Sequence, residues 1–306
     1  MLKDEKILIT GVAGMVGLPI AQFLARNNEV WGVSRFTDPQ KRARVEALGV
    51  ITRSIDFAAG DLSGLPDDFT CVIHLAWMRG GAGQFDEAIR ANAEGAGFVL
   101  RHCRKARAAL VVSSAAVYSA HPDPLHRYIE SDPLGYACTP WALTSPVSKV
   151  TQEAVARFCA RSFNLPVTVV RLNTVYGASV GLPGIHIDAV LTGREISLLS
   201  DPYSNSPIHS DDMNDQLEPL LAAASVPATI VNWAGDEVVS AQQWCAQAAE
   251  MSGRPARIVV TPVAGAPPGC AADVTKRKSI TGPCRVGFKD GFKRLFEARR
   301  AVQPGN

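Results

Sequence analysis

A doubly wound α/β fold, a parallel sheet covered by helices on both faces, is predicted by three observations. Short apolar runs alternate with helix-period segments through the first two-thirds of the 306 residues. The runs Cys71–Leu75, Leu110–Ser114 and Thr168–Leu172 are almost wholly apolar, as strands buried on both sides must be. A glycine-rich stretch directly follows the first run and opens the first helix.

The elements follow in order. A strand is expected at Lys6–Thr10, a helix at Met15–Arg26, a strand at Glu29–Ser34, a helix at Gln40–Leu48 and a short strand at Thr52–Asp56. After the strand Cys71–Leu75, a helix Asp86–Ala106 leads into Leu110–Ser114, and a helix Pro146–Phe163 leads into Thr168–Leu172. The stretch Tyr176–Ser210 is rich in Gly, Pro and Ser, with a helical piece near Ile185–Thr192. Thr229–Trp233 reads as a strand returning to the sheet, Ala241–Met251 as a helix and Lys289–Arg300 as a basic helical tail. These patterns predict a nucleotide-binding domain over 1–175, joined by 229–235, and a smaller substrate-binding lobe from 176–228 and 236–306.

Composition narrows the function classes. Apolar residues at 47% and charged residues at 20% suit a water-soluble enzyme. A net charge of +2, with scattered cations and no interleaved aromatics, argues against nucleic acid as partner. Seven cysteines without a C-x-x-C pair read as reduced thiols, not as a disulfide framework or metal site. The first apolar run, Ile7–Ile9, is too short for a signal peptide or membrane span, so a cytoplasmic protein is expected.

The string Gly11-Val12-Ala13-Gly14-Met15-Val16-Gly17 matches what a dinucleotide needs. One glycine makes the turn, the next lets backbone approach a pyrophosphate, and the third lets helix pack on strand. The helix N-terminus then offers N–H groups and a positive dipole end. The loop therefore predicts a Rossmann-type domain. At the end of the second strand stands Ser34-Arg35 and no carboxylate. Ser34 can donate to a 2′-phosphate and Arg35 can pair with it, with Lys41 and Arg42 as further contributors, so NADP(H) is expected over NAD(H).

Further segments point one way. They are Gly60-Asp61-Leu62, Val72-Ile73-His74-Leu75-Ala76, Asn92-Ala93-Glu94-Gly95, Ser113-Ser114-Ala115-Ala116-Val117-Tyr118, Arg171–Gly177, Ile208–Asp212 and Ala272–Lys276. Together, over nearly the whole chain, they resemble the extended short-chain dehydrogenase/reductase superfamily of the NAD-dependent epimerase/dehydratase type. The resemblance implies that Asp61 and Leu62 border the adenine, and that Leu75, Ala76 and Asn92 lie along the cofactor. It implies that Ser114 bonds the reacting oxygen, that Lys149 holds the nicotinamide ribose, and that the protein is a homodimer. Each residue has a plainer use: Asp61 as a turn cap, Ser114 as a strand-end hydroxyl, Lys149 as a solvated helix residue. His74 and His209 read as structural polar residues, since no partner ligands sit at useful spacing.

The pattern breaks at one place. The family places tyrosine four residues before the lysine, where a nearby ammonium lowers its pKa from about 10. Here Ser145 holds that position, and an unassisted serine hydroxyl is far too weak an acid to replace it. Four explanations stand open: Tyr136 enters from the preceding loop, Ser145 and Ser114 relay a proton through water, the substrate brings its own acidic group, or the protein binds cofactor without turnover.

The phosphate-holding arginines that the resemblance implies for a sugar nucleotide are also missing. One position is Asn205, and Val263–Gly269 holds no cation. Trp77, Met78, Trp141 and Leu182 suit an apolar substrate. The expectation is therefore an NADP(H)-dependent reductase or alcohol dehydrogenase acting on a hydrophobic non-nucleotide small molecule. The alternatives are an epimerase or dehydratase using the cofactor transiently, and a non-catalytic NADP(H)-binding sensor.

Overall fold

The computed structural model describes residues 2–135, 142–178 and 180–302. In chain order it contains β1 (Lys6–Thr10), α1 (Gly17–Leu24), β2 (Glu29–Ser34), α2 (Pro39–Glu46), β3 (Ile51–Ser54) and β4 (Cys71–His74). Next come α3 (Phe85–Ile89), a π-helical turn (Arg90–Glu94), α4 (Gly95–His102), β5 (Ala108–Ser114), α5 (Ser145–Phe163) and β6 (Val167–Leu172). The remainder holds β7 (Val175–Tyr176), α6 (Gly181–Thr192), β8 (Glu195–Leu198), β9 (Ser204–Asn205), β10 (Ile208–His209) and α7 (Ser210–Ala222). It ends with β11 (Thr229–Trp233), β12 (Val239–Ser240), α8 (Ala241–Ser252), β13 (Arg257–Val260), α9 (Thr275–Thr281) and α10 (Phe288–Val302).

The seven-stranded sheet has the order β11-β6-β5-β4-β1-β2-β3. Its direction of growth reverses between β1 and β4, where doubly wound sheets open their ligand crevice at the carboxyl ends of the strands. Ile7, Leu8 and Ile9 have no exposed surface, which explains a strand with no polar alternation. Thr10 stands level with Val33 on β2 and His74 on β4, so three strand ends meet at the glycine loop.

The chain divides into two compact units, one of Met1–Val117, Pro140–Arg171 and Asn214–Val231, the other of Tyr118–Thr139, Leu172–Met213 and Asn232–Asn306. This departs from the boundaries expected from sequence for specific reasons. Thr168 Oγ1 donates to the Leu220 carbonyl at 2.8 Å, and Val167 pairs with Ser225, which ties 214–228 to the first unit. Tyr128 N donates to Ala271 O, and Asn232 Nδ2 to Tyr128 O, which ties 118–135 to the second. The core of the first unit gathers around Leu8, Val72, Val111 and Val169, and that of the second around Tyr176, Trp244, Phe288 and Phe292.

Three features escaped the sequence pattern. The single helix expected at Asp86–Ala106 is interrupted by the π turn, where the Asn92 side chain reaches Met78 and Ser148. Helix α7 has no counterpart among the expected elements, since it opens on Ser210-Asp211-Asp212 and carries Pro219, yet Leu217, Leu220 and Leu221 are buried at helical spacing. The short β13 gains strand character only by pairing in parallel with β8.

Candidate active site

The glycine loop is built by close approaches. Gly11 adopts φ 68°, and a Cβ on it would stand 2.8 Å from the Ala76 nitrogen, so only glycine fits. Gly14 N closes the turn on Gly11 O at 2.9 Å, while a Cβ on Gly17 would strike Gly11 O. Helix α1 starts at Gly17, later than the sequence suggested, so Ala13, Gly14, Met15 and Val16 belong to the loop. Among the described residues, no side chain caps α1. Its N-terminal end thus has the dipole and the backbone donors suited to an anion.

Thr10 latches this loop to β4. Its Oγ1 accepts from Leu75 N and Ala76 N, each at 3.1 Å, and lies 2.9 Å from His74 Nδ1. With both lone pairs used, the hydroxyl proton goes to Nδ1, which puts the histidine's own proton on Nε2. Burial, helped by the Lys149 charge, pulls His74 down to about 3, so the ring is neutral. The latch was missed in sequence, although a threonine ending β1 was its visible sign.

A cleft of the first unit brings together Gly11, Ser34, Arg35, Ala76 and Asn92. Asp56, Phe57 and Ala58 also line it, as do Trp77, Met78, Glu87 and Ala91. Asp61 is not among the lining residues: its carboxylate accepts from Ser63 N at 2.9 Å and Ser63 Oγ at 2.7 Å. Those bonds, the backbone one first, hold its pKa below the ordinary value. Leu62 is in the core, and Leu75 sits half-buried behind the Thr10 latch. Asp56 and Phe57, close after β3, line the cleft where the sequence pointed to Gly60-Asp61-Leu62 instead.

Ser114 ends β5, and its Oγ accepts from Ala116 N at 3.2 Å. Its neighbour Ser113 donates to Glu153 at 2.6 Å, and Glu153 receives both Arg171 Nε and Nη2, at 3.1 and 2.9 Å, in a buried ion pair. Lys149, on α5, is only 5% exposed. Its Nζ donates to the Val112 carbonyl at 2.8 Å and to Gln152 Oε1 at 3.0 Å, and lies 6.0 Å from the centre of the Trp77 ring. Burial pulls this ammonium down to about 7, against the opposing pull of the Glu153 charge. Ser145 is buried in the first turn of α5, and its carbonyl accepts from Ser148 Oγ at 3.3 Å. Tyr136 and Trp141 lie outside the described residues. Among the described residues no cluster of three or more His, Cys, Asp or Glu can hold a metal ion, and no helix is long and apolar enough to cross a membrane.

A family model described as the NAD dependent epimerase/dehydratase family matches residues 7–205. An uncharacterized UDP-glucose epimerase of Bacillus subtilis is 23% identical over 296 residues, covering 90% of this chain and 91% of its own. The UDP-glucuronic acid 4-epimerase of Bacillus cereus, solved with UDP-glucuronic acid and NAD, has a TM-score of 0.83 at 22% identity, covering 97% of this chain and 100% of its own. The UDP-glucose 4-epimerase of Thermus thermophilus, solved with NAD, has a TM-score of 0.78 at 21% identity, covering 97% of this chain and 100% of its own.

Two expectations are corrected. NADP(H) gives way, because the neighbours named above are complexes with NAD. Asp56 and Glu87 line the same cleft as Arg35, two carboxylates left out of the sequence argument that weighed Arg35, Lys41 and Arg42. Arg42 is committed to Glu46 at 2.9 Å. The reductase of a hydrophobic non-nucleotide gives way to the alternative of transient cofactor use, because the relatives are UDP-sugar epimerases. The apolar residues invoked for such a substrate divide: Leu182 packs on the core of the second unit, while Trp77 has the Arg79 guanidinium 5.4 Å from its ring centre on top of the Lys149 ammonium. Fold, glycine loop and family match agree, and the chain belongs to the NAD dependent epimerase/dehydratase family, a family of enzymes.

Proposed function

We propose that this protein is an NAD(H)-dependent epimerase of a UDP-sugar, inverting a carbinol carbon by transient oxidation with no net redox change. The observation that carries the reading is Lys149, buried beside Trp77 on α5 and drawn down to about 7, where its Nζ can hold or release a proton near neutral pH. The named functions of the relatives support it.

The residues present fit a dinucleotide. Gly11 leaves a cradle that a Cβ would fill, α1 has no side-chain cap, and the buried Trp77 Nε1–H has no partner among the described residues. Gly11–Gly17 would hold the pyrophosphate, Ser34 and Asp56 the adenosine end, and Asn92 and Lys149 the nicotinamide end. When bound, the nicotinamide supplies a reversible hydride acceptor. Ser114 orients the substrate oxygen through its hydroxyl, and Lys149 biases the local charge. With Ser145 in place of tyrosine, the hydroxyl proton would pass to Lys149 Nζ in its uncharged form and return from there.

The test is incubation with NAD and, in turn, UDP-glucose, UDP-glucuronic acid and UDP-N-acetylglucosamine, with epimers followed by proton NMR. A C4 epimer appearing without lasting nicotinamide absorbance is expected, and Lys149→Met should slow it at least a hundredfold. Stoichiometric NADH accumulation, or no epimer from any of the three, would defeat the reading. Ser145 favours one second reading, a dinucleotide-binding protein without turnover. Tight NAD binding with no epimer would favour it.

A further inference from the structure

Lys149 is held by a fully buried carboxamide. Gln152 has no exposed surface and lies three residues further along the same face of α5. Its Oε1 accepts from Lys149 Nζ at 3.0 Å, while its Nε2 donates to the Asn92 backbone carbonyl at 3.1 Å. Asn92 sits in the π turn, and its own side chain is also committed. Its Nδ2 donates to Met78 O at 2.9 Å and to Ser148 Oγ at 3.1 Å, and its Oδ1 accepts from Met78 N at 2.6 Å. One network therefore runs from the Trp77–Met78 wall of the cleft, through the π turn, to the lysine.

We propose that Gln152 is a positioning residue: its carboxamide fixes the direction of the Lys149 ammonium by spanning from Nζ to the π-turn carbonyl of Asn92. The proposal rests on the reading of Lys149 as part of an epimerase site. Four observations favour positioning over plain filling of space. Gln152 is a polar residue in a buried helix face, both ends of its amide are bonded, the partners come from two different elements, and one partner is the only ammonium on that face. Together with the Val112 carbonyl, it occupies two of the three ammonium N–H groups, and the tetrahedral nitrogen then fixes the direction of the third. An unrestrained lysine side chain has four rotatable bonds and would spread that donor over many directions. Among the described residues, the other ionisable groups close by are His74, which is neutral, and Glu153, which is committed to Arg171 and Ser113.

The test uses full-length protein saturated with NAD, with Lys149 followed by 13Cε NMR, a readout that needs no turnover. Gln152→Met keeps the volume and removes the acceptor, so the charged form loses a hydrogen bond and the titration midpoint should fall by about one pH unit. Gln152→Glu sets a carboxylate against the ammonium and should raise the midpoint by a similar amount. On the epimerase assay, Gln152→Met should lower kcat roughly tenfold with little change in KM, because a misdirected donor is felt in the transition state. Midpoints equal to the wild-type value in both folded variants would overturn the proposal, as would a shift of the same sign in both. If the wild-type protein epimerises no UDP-sugar, the function fails while the NMR still decides the role of Gln152.

Discussion

Thr10 and His74 stand side by side at the carboxyl ends of β1 and β4, with Oγ1 2.9 Å from Nδ1, and this one hydroxyl also holds the Leu75 and Ala76 amides. Two strand ends and the glycine loop are thereby locked at the point where the sheet order reverses. Thr10→Val keeps the shape and removes the hydroxyl, leaving Ala76 N and His74 Nδ1 without that partner, while Leu75 N keeps its bond to the Thr10 carbonyl at 3.2 Å. A loss of about 2–4 kcal/mol in urea unfolding is expected, together with weaker NAD binding, whereas Thr10→Ser should retain most of both. Wild-type stability in the valine variant would show that the latch is idle.

The buried ammonium of Lys149 weighs on stability. Its pKa is about 7 in the fold against an ordinary 10.5, so between those values the unfolded chain binds more protons than the folded one. Stability therefore rises with pH across that window, and the full penalty applies below pH 7. Lys149→Met should be more stable than wild type at pH 6 by on the order of 3 kcal/mol, with the gain fading toward pH 10. The same variant should be inactive, which separates its catalytic loss from unfolding. A variant less stable than wild type at pH 6, or a pH-independent gain, would refute this.

Glu153 and Arg171 are each 3% exposed in their side chains and joined at 2.9 Å. Arg171→Leu strands the Glu153 carboxylate in the interior and should cost about 3–5 kcal/mol in denaturant unfolding. The double variant Glu153→Gln with Arg171→Met removes both charges of the pair and should recover much of that loss. Equal damage in both would mean that packing, not charge, is at stake.

Asp56 enters the cleft beside Ser34 and Arg35, and its carboxylate also accepts from Ala58 N at 3.1 Å. Asp56→Asn keeps that turn cap and removes the charge. NAD should bind tighter than NADP to wild-type protein, and the asparagine variant should narrow the gap about tenfold by calorimetry, as expected when a carboxylate no longer repels a 2′-phosphate. NADP bound tighter than NAD by the wild type would reverse the assignment.

Much of the molecule is legible from periodicity alone. The bounds of β1, β2 and β11 follow from their apolar runs, and the glycine loop follows from its place between strand and helix. Residues far apart in sequence fared differently. Gln152 reads as an ordinary polar helix residue until Asn92, 60 positions away, is brought against it. Ser113 reads as strand-end polarity until Glu153 is found 2.6 Å from it. The NADP(H) expectation weighed Arg35, Lys41 and Arg42 without Asp56 and Glu87, which line the same cleft as Arg35.

By itself the sequence determined the doubly wound sheet, the turn at Gly11 that only glycine allows, and the presence of Ser145 four residues before Lys149. These are consequences of local sterics and of the period at which apolar residues recur. Only the tertiary structure decided the charge balance of the cleft, the tautomer of His74 and the direction in which Lys149 is held. Each of those depends on desolvation and on hydrogen-bond partners contributed by separate elements, and neither exists until the strands and helices have packed.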